Sequence, residues 1–80
     1  MNEINRGEVW YYARALPTGL FEVCELKINT VTTNYFTGVD KRDKRTYMFN
    51  YEDINHTVFH ERAKALAVVN AKEEQYNTRH

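Results

Sequence analysis

The sequence predicts a mainly β domain with one C-terminal α-helix, built as a small SH3-like, partly closed antiparallel barrel. Three observations predict it. Up to Phe59 the chain alternates by twos, in runs rich in Val, Ile, Thr, Tyr and Phe. After Phe59 the period changes, and Ala, Glu and Lys dominate. With 80 residues there is room for one domain, and so small a sheet leaves open edges unless it curls. A flat sheet carrying one helix across it is the alternative.

The first strand is expected in "GEVWYYAR", residues 7–14, where Val9, Tyr11 and Ala13 oppose Trp10, Tyr12 and Arg14. "ALPTGL" breaks it, with Pro17 suited to a turn and Gly19 able to take positive φ. "FEVCELKINTV" then sets Cys24, Leu26 and Ile28 on a dry face against Glu25, Lys27 and Asn29 on a wet one. A third strand is expected in "TTNYFTGV", with Gly38 marking a bulge or bend, and a fourth in "KRTYMFNY", where Tyr47 and Phe49 face away from Met48. Between them lies "DKRDKR", residues 40–45, which reads most simply as a hydrated hairpin tip. A turn or short 3-10 segment is expected at Glu52 to Asn55, then a brief strand ending at Phe59. The helix follows, with Phe59, Ala63 and Leu66 as its apolar stripe and Glu61 in its first turn. Residues 1–76 form the domain in this reading, and 77–80 a disordered tail.

Composition limits the function classes. Eleven basic residues balance eleven acidic ones, so no long-range field draws the chain to nucleic acid or an anionic membrane. Residues 41–80 hold eight cations against six carboxylates, an excess too small to announce a polyanion partner. Cys24 stands alone, fits a reducing compartment and, on the dry face of its strand, reads as a small hydrophobe. No signal-peptide pattern and no apolar run of membrane-spanning length is present, which points to the cytoplasm, and "NHT" at 55–57 is then a chance glycosylation match.

Chemistry-bearing patterns are few. The three glycines are isolated, so no phosphate loop forms. His56 and His60 lie four apart with Glu52 and Asp53 upstream, but they straddle the strand and the helix start, and no metal site is expected. Glu22, Glu25, Asp53 and His56 are the acid–base candidates by type, and nothing gathers them in a cleft. No cofactor and no enzymatic activity are expected.

The anomaly is aromatic. Eleven of 80 residues are Trp, Tyr or Phe, and adjacent pairs such as Tyr11–Tyr12 and Tyr35–Phe36 must point to opposite faces of a strand. Some rings are therefore expected outside. Trp10, Tyr12 and Tyr35, with Lys41, Arg42, Lys44 and Arg45, form the candidate interaction set. They could anchor a protein interface, or stack bases while the cations meet phosphates.

"GEVWYY" at 7–12, "DINHTVF" at 53–59 and "RAKAL" at 62–66 together resemble a loose group of small, mostly uncharacterised phage and prophage proteins. In these a Gly-led aromatic strand opens a short β body that closes with Val-Phe and an Arg-Ala-Leu helix. His60 departs from the pattern, standing where a stronger helix cap is usual. The resemblance implies an SH3-like barrel whose bottom Phe59 closes, with Ala63 and Leu66 laying the helix over it. It also implies an adaptor or inhibitor of a bacterial host protein more than an enzyme. Two functions follow as expectations: a protein-interaction module, and a nucleic-acid-binding domain using the 41–45 tip. A homodimer is a further expectation, formed through an uncovered edge near the N-terminus or at 33–38.

Overall fold

The computed structural model describes the backbone of residues 4–78, with side chains as far as Gln75. Its strands are β1 (Val9–Ala15), β2 (Phe21–Val31), β3 (Tyr35–Asp40), β4 (Thr46–Asn50) and β5 (Val58–Phe59). A 3-10 turn at Tyr51–Asp53 precedes β5, and helix α1 (Arg62–Thr78) closes the chain. The strands lie in the order β4-β3-β2-β1-β5, every neighbouring pair antiparallel. The molecule is the expected mainly β domain: a curled half-barrel with one C-terminal helix. The helix runs through Asn77 and Thr78; the rest of the expected tail, residues 79–80, lies outside the described residues.

The long strand β2 is central. Its first part pairs with β1 from Phe21 to Lys27, its last part pairs with β3 from Leu26 to Val31, and a register shift between Ile28 and Thr30 lets it bend. Curling encloses Trp10, Cys24, Leu26, Ile28, Phe36, Phe49, Ile54 and Val58, with Tyr12, Tyr47 and Tyr51 packed around them. Gly38 lies on the inner face opposite Ile28, where a Cβ would come within 3.0 Å of Leu26 Cβ. Tyr51 donates its hydroxyl proton to the Thr32 carbonyl and ties the 3-10 turn to the β2–β3 loop.

A second core lies on the outer face. Helix α1 packs on β1, β2 and β5, burying Ala13, Phe59, Ala65 and Val69 with Tyr11, Phe21, Val23 and Val68 around them. Three expectations change here. The buried stripe is Ala65 and Val69, with Val68 half-buried beside them; Ala63 is exposed and Leu66 is 45% exposed. Phe59 sits under the helix instead of closing the barrel, because alternation along β5 sends Val58 inward and Phe59 outward. Glu61 precedes the helix, where its carbonyl accepts from the Lys64 and Ala65 N–H groups at 3.2 and 3.4 Å.

The edges differ from expectation as well. β1 is flanked by β2 and β5, and β3 by β2 and β4, so both strands proposed for dimer pairing lie inside the sheet. The edge strands are β4 and β5.

The candidate interaction surface

The tip at 40–45 is a hairpin turn, as its composition predicts, and its own main chain holds it. Asp40 and Arg45 close it through Asp40 N–H to the Arg45 carbonyl at 2.8 Å, and Lys44 N–H reaches the Asp40 carbonyl at 2.9 Å. Two carboxylates shape the turn from within: Asp40 Oδ1 accepts from Arg42 N–H at 2.7 Å and Asp43 Oδ1 from Arg45 N–H at 3.0 Å. Lys44 takes a left-handed φ of 64°, the price of turning so tightly without glycine.

The cations of the tip are not free. Lys41 Nζ lies 2.8 Å from Glu25 Oε2. The Arg42 guanidinium donates to both oxygens of Glu22, at 2.9 and 3.2 Å. Arg14 also approaches Glu22, at 3.9 Å, and Arg45 lies 3.9 Å from Asp43. Beside Glu25 and Glu22 respectively, Lys41 and Arg42 are both held more firmly protonated than usual. Lys44 alone of the four tip cations forms no ion pair among the described residues. The partners come from β2, at a point where β3 has ended: Lys41 N–H bonds the Glu25 carbonyl at 3.1 Å, so the tip folds back along the open part of β2.

A concavity of about 320 Å³ lies there, lined by Val23, Cys24, Glu25, Asp40, Lys41 and Arg42. Asp40 is 2% exposed, and its Oδ2 has no hydrogen-bond partner among the described residues. The Tyr47 hydroxyl is likewise buried without a partner. Arg14 stands 5.8 Å over the Tyr47 ring. Burial pushes the Cys24 thiol up to about 11, and the carboxylates of Glu22 and Asp40 add to the shift. The thiol is therefore protonated at neutral pH, a poor nucleophile. Burial, reinforced by Cys24 and Tyr47, also raises the Tyr12 phenol.

The aromatic members of the candidate set are not gathered around this tip. Trp10 is 3% exposed and lies in the inner core, which corrects its placement as a surface anchor. Strand alternation put it opposite Tyr11, but with both faces of β1 covered neither ring is left outside. Trp10 stacks on His60 at 4.8 Å and its indole N–H donates to Glu8 Oε1 at 3.3 Å. Tyr12 is half-buried against Tyr47 and Phe49, at 5.4 and 5.0 Å. Tyr35 is half-buried at the start of β3, about 17 Å along the strand from the tip. Among the ten described aromatics none is exposed: Trp10, Phe36, Phe49 and Phe59 are buried and the other six half-buried. Tyr76 lies outside the described side chains.

His56 is exposed in the turn before β5, while His60 stacks on Trp10, so the pair shares no face. Among the described residues no three His, Cys, Asp or Glu side chains gather as a metal ion requires. No helix is long and apolar enough to cross a membrane. Glu22 and Glu25 pair with the tip, a role that the sequence alone does not assign them. Glu22 carried a faint signal, since it shares the inward parity of Cys24 and a carboxylate there needs a cation. Comparison with protein-family models, curated proteins and solved structures finds no match to this chain.

Proposed function

We propose that the chain is a non-enzymatic protein-interaction module, a phage-encoded modulator that acts in the cytoplasm on a bacterial host protein. Its contact surface is the hairpin tip with the carboxylates that pair with it. One observation carries the reading: Lys41 with Glu25 and Arg42 with Glu22 present both signs of charge side by side, beside a concavity that Glu25, Lys41 and Arg42 line. Mixed charge at fixed spacing suits a folded protein surface of complementary charge. A phosphate backbone would meet Glu22, Glu25 or Asp43 beside three of the four tip cations, Lys41, Arg42 and Arg45. The resemblance at "GEVWYY", "DINHTVF" and "RAKAL" supports the phage and host assignment, and the protonated thiol of Cys24 supports a role without covalent catalysis.

Affinity capture from bacterial lysate with the wild-type chain and an Arg42→Ala, Lys41→Ala variant tests it, alongside titration with single- and double-stranded oligonucleotides. A specific host protein lost in the variant is the expected result. Oligonucleotide binding that falls steeply between about 50 and 200 mM salt, with no protein captured, would replace this reading with the nucleic-acid one.

A further inference from the structure

A second concavity, of about 490 Å³, lies where the turn before β1 meets the outer side of β2 and β3. Arg6, Gly7, Lys27, Ile28, Asn29 and Val39 line it, so two of its six residues are cations and none is a carboxylate.

The turn builds one wall. Gly7 takes a left-handed φ of 88°, its N–H bonds the Ile28 carbonyl at 2.8 Å, and the Glu8 carbonyl accepts from Ile28 N–H at 2.8 Å. These bonds hold Arg6 beside the later part of β2. A Cβ at Gly7 would meet nothing within 4 Å, so that side stands open. Parity builds the floor. Ile28 and Asp40 are buried in the sheet's interior, so Lys27 and Val39, paired with each other, point outward. Met48 shares that outward parity on the next strand, opposite Thr37, and is 68% exposed. Cations and apolar side chains thus share one face of the sheet.

Neither Arg6 nor Lys27 forms an ion pair among the described residues. The carboxylates two residues away are engaged elsewhere: Glu25 by Lys41 at 2.8 Å, and Glu8 by the Asn5 main-chain N–H and the Trp10 indole. Three of the four tip cations face a carboxylate, whereas an anion arriving here meets two cations that no acid side chain holds.

We infer that this concavity receives an acidic peptide segment of a partner protein, its carboxylates on Arg6 and Lys27 and a neighbouring apolar side chain on Val39 and Met48. Arg6 forks onto a carboxylate, Lys27 meets one as a point charge, and the Asn29 amide adds a donor. The concavity is open rather than enclosed, which suits a chain passing across it better than a small molecule needing burial on all sides. Two cations are few for a phosphate backbone, whose affinity grows with each phosphate neutralised. No tip residue takes part, so the site stands independently of the function proposed above.

Titration of the isotope-labelled full chain with the capped tetrapeptide acetyl-Glu-Leu-Glu-Leu-amide, followed by amide NMR shifts, reads the place and strength of binding, and each spectrum confirms that the variant is folded. Shifts centred on Gly7, Lys27, Asn29 and Val39 are expected, with a dissociation constant on the order of 1 mM. Arg6→Gln and Lys27→Gln each weaken binding about threefold to fivefold, and Met48→Gln about threefold. Lys64→Gln, on the exposed side of α1, leaves it unchanged. Absence of shifts at ten times that peptide concentration overturns the inference, as do shifts centred elsewhere or binding that survives the loss of both cations. So does inorganic phosphate or a thymidine tetranucleotide that binds the concavity as tightly as the peptide.

Discussion

Gly38→Ala tests the close approach of β3 to β2 on the inner face. Gly38 does not occupy a left-handed conformation, unlike Gly7 and Gly19, so alanine meets no backbone penalty there. The obstacle is Leu26. A Cβ at 38 would lie 3.0 Å from Leu26 Cβ and 3.1 Å from Leu26 Cδ1, against an optimum of about 3.5–4.0 Å between carbons. Leu26 is fully buried and its Cβ is fixed by pairing to Trp10 on one side and Asp40 on the other. Rotating the side chain relieves the Cδ1 contact and leaves the Cβ contact, so β2 and β3 must part. Overpacking of this kind costs about 1–3 kcal/mol. Loss of the glycine's unfolded-state freedom returns about 0.5–1 kcal/mol, leaving a net destabilisation of about 1–2 kcal/mol. With a urea slope of about 1 kcal/mol/M, the midpoint falls by about 1–2 M. Urea titration followed by Trp10 fluorescence and far-UV circular dichroism measures it. A midpoint equal to or above that of the wild type would show that Gly38 does not pack tightly against Leu26, and the account of this inner-face contact would fail.

Three further outcomes follow from the same geometry. Asp40→Asn keeps the Oδ1 acceptor for Arg42 N–H but removes a charge beside Cys24, so the thiol titrates below its wild-type value of about 11 yet, since burial dominates, still above 9.0; alkylation rate against pH reads it. Glu8 is held below its ordinary value by the Asn5 main-chain N–H and then the Trp10 indole, so its contribution to stability is present above pH 4.5 and is lost as pH falls through its folded value; Glu8→Gln flattens stability against pH in that acid window. Ala65→Leu overpacks the helix–sheet contact and costs about 1–3 kcal/mol, whereas Leu66→Gln stays within about 0.5 kcal/mol, and thermal melts that reverse this order would shift the helix by one residue.

The strands were legible because each carries its own signal. "FEVCELKINTV" alternates cleanly, and the structure makes all of it β2. The helix phase was not legible, since alanines at 63, 65, 67 and 71 leave an apolar residue on every face of α1. What selects Ala65 and Val69 is the surface they meet, Tyr11, Phe21, Val23 and Phe59, and that surface exists only once the sheet has formed. The tip was legible as a turn but not as a set of ion pairs. Arg42 finds Glu22 twenty residues away through the β2–β3 register, which includes an irregularity between Ile28 and Thr30 that no alternation pattern announces.

The aromatic excess has a cause that changes what it implies. A sheet covered on one face needs large side chains at every second position; a sheet that curls over one core and carries a helix on the other face needs them at both parities. Trp10, Tyr12, Phe36, Tyr47, Phe49 and Tyr51 serve the inside, and Tyr11, Phe21 and Phe59 serve the helix. Rings that looked surplus are thus what lets a short chain build two cores, each too small to be stable alone. The proposed contact must use what the cores do not consume. That is the charged rim, where Glu22 and Glu25 hold Arg42 and Lys41 in place. A contact made there would be ionic, so salt is expected to weaken it.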